Sequence, residues 1–216
     1  MNLFKSLGRL LLLASTALLN SGPLAAAPSP KQTFNFLVNS ADDNARNDGD
    51  DYRGNSDYCS ADGLVDGQPS TCTLRDALNA PGTINITFDP SLAGKTITLT
   101  NVRDGTFGPS ALMLNSGTNV TIDGGSSGIT ITQNKPAPTD NAVVGMRLFY
   151  VPSGTTLTLK NLTLKGGVAN GGNTASSGGG GGAGLGGAIV NAGTLNLTQS
   201  TLANNQAQGG SNTGGS

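Results

Sequence analysis

Residues 153–167 read SGTTLTLKNLTLKGG, an alternation of apolar and polar side chains that runs out into glycine. Leu157, Leu159, Leu162 and Leu164 recur at a period of two, with one slip at Asn161. That period marks half-buried strands, because successive side chains on a strand point to opposite faces. The opening Gly-Thr pair recurs in GTINITFD at Gly82, GTNVTIDGG at Gly117 and GTLNLTQSTLANN at Gly193. With Gly154, the four starts lie 35, 37 and 39 residues apart. Each interval predicts three short strands. The first set is 84–88, 96–100 and 111–115; the second is 119–123, 129–132 and 147–151. The third is 156–160, 162–165 and 187–190, and a fourth set begins with 195–198 and 201–203.

Three strands at a near-constant period imply an all-β array in which one repeat cannot bury its own apolar face. Stacking repeats about 4.8 Å apart pairs each strand with its equivalent in the next layer and seals the interior. The predicted fold is a right-handed parallel β-helix, three strands per turn and about three and a half turns long, over residues 81–216. Val120 and Ile122, Leu157 and Leu159, and Leu195 and Leu197 are the expected inward pairs, with Thr121 and Thr158 facing out between them. The apolar positions slide by one residue relative to Gly-Thr, so that pair marks a turn. Asp123 and Lys160 should meet on adjacent layers in water, a pair worth about 0–1 kcal/mol. A β-sandwich competes, but it needs antiparallel partners and gives no reason for matching phrases in equal strand order.

The head of the chain reads as a secretory signal peptide over residues 1–27. Lys5 and Arg9 precede a short apolar run at 10–19, and Ala25, Ala26 and Ala27 each offer a cleavage point. No later stretch is long and apolar enough for a membrane helix. From Pro28 on there are ten Lys and Arg (12 minus Lys5 and Arg9) against 13 acids, all Asp, a balance near −3. That charge argues against a nucleic-acid partner, which needs basic patches. Low charge, 33 Gly and no Glu favour strands and tight turns over helices.

Residues 28–80 differ from the array. TFNFLV (33–38) is a strand, DDNARNDGDD (42–51) is an acidic loop, and CTLRDALNA (72–80) is a short helix with Leu74, Ala77 and Leu78 on one side and Arg75 and Asp76 in water. In an exported chain, Cys59 and Cys72 are expected to form a disulfide. The pinned helix would then cap the first layer, whose open edge would otherwise pair with other chains. A solvated acidic loop competes with a calcium site, but Arg46 stands where an EF-hand would need a ligand.

The remaining motifs carry little chemistry. GAGLGG places Gly182, Gly184 and Gly187 at G-x-G-x-x-G spacing, but it lacks the strand before, the helix after and the later acid of a dinucleotide site. SLAGKT (91–96) has only the tail of a phosphate loop. The tract 166–187, with 12 Gly in 22 residues, reads as a flexible insertion. Asn85, Asn119, Asn161 and Asn196 head N-x-T triplets, which read as polar strand positions more readily than as glycosylation acceptors. No catalytic, metal or cofactor residue stands out. The charged groups available for acid–base work are Asp104, Asp123, Asp140, Arg103, Arg147, Lys160 and Lys165, with Asp123 beside Arg147 or Lys160 as the best cluster.

The phrases CTLRDALNA, TINITFDPSLAGKTITLT and VTIDGG resemble the N-terminal part of bacterial secreted right-handed β-helix proteins. GGAIVNAGTLNLTQSTLANNQAQGG is similar to the GGAI/FxxN repeat of polymorphic outer membrane proteins: Gly186, Gly187, Ala188 and Ile189 match the first half. Leu202, Ala203, Asn204 and Asn205 keep the Asn but replace Phe with Leu. The resemblance implies a secreted or outer-membrane-associated surface protein, adhesin-like or passenger-like, with glycans or host and cell-surface proteins as partners. The sequence stops at Ser216 inside a glycine-rich segment, which reads as a fragment of a longer array. Two other functions compete: a pectin lyase-like or polygalacturonase-like carbohydrate-active enzyme, and a purely structural stalk.

Overall fold

The computed structural model describes residues 32–43, 59–126, 128–134, 145–173 and 181–211. The predicted signal peptide and its cleavage points lie outside these residues, as do most of the acidic loop and Asp140. The described chain is all-β, built on parallel sheets.

The largest sheet has five strands: β1 (Thr33–Val38), β4 (Thr83–Phe88), β7 (Asn119–Asp123), β10 (Thr156–Lys160) and β14 (Thr194–Thr198). A second sheet orders β5 (Thr96–Leu99), β8 (Ile129–Gln133), β11 (Leu162–Lys165) and β15 (Thr201–Ala203). A third joins β6 (Ser110–Met113), β9 (Arg147–Val151) and β13 (Ile189–Asn191). All their strand pairs are parallel. The chain visits the sheets in one cyclic order: β4, β5, β6, then β7, β8, β9, then β10, β11, β13. A small antiparallel ladder, β2 (Leu64–Val65) with β3 (Gln68–Pro69), lies between the two cysteines.

The strand register follows the apolar spacing. Phe34, Ile84, Val120, Leu157 and Leu195 align across the five-stranded sheet, and so do Phe36, Ile86, Ile122, Leu159 and Leu197. Ile97, Ile131, Leu164 and Leu202 form the corresponding row of the second sheet. Ile84, Ile122, Leu157, Leu159, Ile131 and Leu164 are wholly buried. The last members of these rows are not: Leu197 and Leu202 are 44% and 46% exposed, because β14 and β15 are edge strands.

Four expectations change. First, the strand at 33–38 belongs to the array itself, pairing residue for residue with β4. Second, the helix is shorter, α1 (Leu74–Ala77), and Arg75 and Asp76 do not face water: they are 1% and 0% exposed. Asp76 closes a capping box, its carboxylate accepting from the Thr73 N–H and hydroxyl while Thr73 Oγ1 accepts from the Asp76 N–H. Leu74, Ala77 and Leu78 join the same apolar core as the strands.

Third, the third and fourth repeats carry an extra strand each, β12 (Val168–Asn170) and β16 (Gln206–Gln208), paired parallel. Fourth, the described parts of the glycine tract are bonded, not a free excursion. Gly171 N–H donates to Gln208 O, Gly182 N–H to Gly172 O, and Gly210 N–H to Gly182 O, all within 2.8 Å. Glycine is needed because backbones approach so closely: a Cβ on Gly171 would fall 1.9 Å from Gly182 O, and one on Gly184 2.1 Å from Gln208 O. This packing accounts for Gly184 of the G-x-G-x-x-G phrase.

Candidate binding surface

Of the described charged residues that could have formed a catalytic cluster, Asp123 and Lys160 come together and Arg147 stands apart from them. Asp123 and Lys160 are register partners on β7 and β10, as their spacing predicted. Asp123 Oδ1 accepts from Asn161 Nδ2 and from the Gly125 N–H, both at 2.8 Å. The Asn161 amide, then that N–H and the Lys160 charge, hold the Asp123 carboxyl below the usual Asp range. Asn161 lies at the corner between β10 and β11, in the left-handed region at φ 54°, and not inside a strand as its triplet suggested. Asn85, Asn119 and Asn196 do sit on strands.

Arg147 does not join Asp123. It is 1% exposed on β9, where Nη2 donates to Phe107 O at 2.6 Å, Nη1 to Pro109 O at 3.5 Å, and Nε to Leu185 O. Burial draws this guanidinium's pKa down, and the Asp104 charge partly opposes it. Arg147 therefore ties the loop before β6 to the glycine-rich segment before β13. Asp104 shapes that same loop, accepting from the Thr106 N–H at 3.0 Å and hydroxyl at 2.8 Å. Arg103 donates to Asn79 Oδ1 and Asn115 Oδ1 at 3.4 and 3.2 Å. Among the described residues, no three Cys, Asp or Glu side chains gather as a metal-binding group.

Sequence reading missed the deepest charge pair. Asp43, placed in the acidic loop, is 5% exposed and takes both prongs of Arg75. It also accepts from the N–H groups of Thr100 and Asn101 at 2.7 and 3.0 Å. With the Thr100 hydroxyl at 3.4 Å, its oxygens are spent on five donors, so Asp43 is a structural anchor. No local periodicity pairs residues 32 positions apart, so this contact left no sequence signal.

The outer surface of the strands carries ordered polar rows. On the five-stranded sheet, Asn35, Asn85, Thr121, Thr158 and Asn196 align in one outward row. Neighbours in the row bond directly: Asn85 Nδ2 to Asn35 Oδ1 at 3.0 Å and Asn196 Nδ2 to Thr158 Oγ1 at 3.3 Å. On the second sheet, Thr96, Thr130, Thr163 and Thr201 form an unbroken threonine row. Thr98 pairs with Thr132 and Lys165 with Ala203 beside it. An open groove of about 480 Å³ runs over this face, lined by Thr96, Thr130, Thr132, Thr163, Lys165, Ala203 and Asn204.

Asn205, the Asn retained from the repeat, works between layers. It donates to Leu164 O at 3.0 Å and accepts from the Gly167 N–H at 2.8 Å. Such a cross-layer amide satisfies backbone groups at a corner that strand pairing leaves open. Compared with known proteins, the chain matches no family model, no curated sequence and no solved structure.

Proposed function

We propose that this chain is a right-handed parallel β-helix surface protein, secreted or associated with the outer membrane, that binds glycans or cell-surface proteins without catalysing a reaction. The single observation that carries the reading is the alignment of outward Asn and Thr side chains into straight rows on two parallel sheets. Rows of amides and hydroxyls offer donors and acceptors at each layer, about 4.8 Å apart. Binding is then spread over many weak contacts, so no single residue needs a tuned pKa. The cyclic visiting order of the three sheets supports the coil, and α1 with the Cys59–Cys72 disulfide supplies a cap beside β1.

The enzyme alternative finds little support in the placement of its best cluster. Asp123 does pair with Lys160, but its Oδ1 holds a turn, and Arg147 is enclosed by carbonyls on another sheet. Incubating the chain with a glycan array, with whole cells and with polyuronates separates the readings. Retention without product release is expected. Release of unsaturated or shortened uronate chains would overturn the binding role in favour of catalysis.

A further inference from the structure

We infer that the groove across β5, β8, β11 and β15 takes an extended acidic polysaccharide, with a sugar carboxylate seated at Lys165. The inference rests on the surface-binding reading above and assigns it one face and one ligand class. The groove's polar lining is Thr96, Thr130, Thr132, Thr163, Lys165 and Asn204. The hydroxyls of Thr96, Thr130 and Thr163 belong to register partners on successive strands, so they rise in a straight row across the strands, with Thr132 two residues to one side. A ligand that uses such a row must itself repeat its polar groups along its length. A chain of sugar rings does this, and each threonine hydroxyl can both donate and accept toward it.

The lining also excludes rival ligands. Among the described residues it holds no aromatic ring and no large apolar side chain, whereas the buried centre of a protein interface favours both. A neutral sugar that binds by stacking would lack its platform. A nucleic acid would need several cations along its path, and among the described residues the groove holds one. That one cation is exposed, and among the described residues it makes no ion pair. Among the described residues, no carboxylate lines the groove to repel an anion. An ammonium among hydroxyls suits a carboxylate, which can accept charge-assisted hydrogen bonds from both.

The test is affinity of the full chain for polygalacturonate and for uncharged dextran, measured by biolayer interferometry at low and at high salt. Polygalacturonate should bind more tightly than dextran and weaken with salt. Lys165→Gln and Thr130→Val should each weaken polygalacturonate binding about three- to fivefold, while Gln68→Ala on the exposed β2–β3 ladder leaves it unchanged. Equal binding of both polymers, or sensitivity to Gln68→Ala but not to Lys165→Gln, would overturn the groove assignment and leave surface binding intact. Retention on cells with no affinity for either polymer would do the same. Failure to bind polymers, glycans and cells alike would overturn both.

Discussion

Arg75 grips Asp43 through a two-pronged ion pair, with Nε 2.8 Å from Oδ1 and Nη2 2.8 Å from Oδ2. Both side chains are sealed from solvent, at 0% and 2% exposure. The rest of the guanidinium is also used: Nη1 donates to Ala111 O at 2.7 Å and Nη2 to Asn101 O at 3.1 Å. Four segments thus meet at one charge: the chain after β1, α1, the residues following β5, and β6.

Removing one partner of such a pair leaves a buried charge without compensation, a loss of about 3–5 kcal/mol. Asp43→Asn and Arg75→Met should each lower stability by about that amount, measured as the urea midpoint at unchanged slope. A loss under about 1 kcal/mol would mean that the pair is hydrated in solution.

Among the described residues, Arg147 holds three carbonyls and has no anion as a hydrogen-bond partner. Arg147→Met keeps the apolar stem and removes the donors. It should cost about 2–3 kcal/mol. Hydrogen exchange should speed up locally at residues 105–108 and 181–187, with the five-stranded sheet unaffected. Uniform acceleration through all sheets would refute a local clamp.

The glycine contacts predict a sharp contrast between neighbours. A Cβ on Gly171 would overlap Gly182 O, whereas one on Gly172 would meet nothing within 4 Å. Gly171→Ala should destabilise the β12–β16 pair, seen as lost amide protection at Gly171 and Gly210, while Gly172→Ala stays close to wild type. Equal effects would mean that the two backbones do not pack as described.

The pH response of the β7–β10 corner follows from Asp123. Its folded carboxyl pKa is lowered, first by Asn161, then by the Gly125 N–H and the Lys160 charge. A lowered pKa means that ionisation favours the folded state. The contribution is therefore complete above the unfolded value near 4 and is lost as pH falls through the lower folded value. Asn161→Gly tolerates the positive φ and deletes the amide. The Asp123 side-chain carboxyl carbon, followed by NMR, should then titrate at higher pH than in wild type. An unchanged titration would rule out Asn161 as the main cause.

These sites show what can be read from the chain and what cannot. Strands such as 119–123, 156–160 and 162–165 were legible to the residue, because one face is buried and a one-residue slip would expose every Leu and Ile. Asp123 beside Lys160 followed from the same alignment. The buried Arg75, Asp76 and Arg147 were not legible: charged residues read as surface until their partners, distant in sequence, are known. β12 and β16 were missed for a different reason. Val-Ala-Asn and Gln-Ala-Gln carry almost no apolar alternation, and their pairing rests on close backbone approach at neighbouring glycines. Outward threonines were read only at Thr121 and Thr158, and the threonine row of the second sheet required the register.

Parallel, in-register stacking underlies both the core and the binding face, and cysteine cross-linking tests it most directly. Thr130 and Thr163 are register partners, so Thr130→Cys with Thr163→Cys brings two thiols within disulfide reach on adjacent strands. Thr132→Cys with Thr163→Cys is offset by two residues, which puts the Cα atoms about 8 Å apart, beyond that reach. Mild oxidation followed by peptide mapping should show the first pair linked almost completely and the second reduced, with Cys59–Cys72 intact in both. A linked offset pair beside a reduced Thr130–Thr163 pair would contradict the stack and the face built on it.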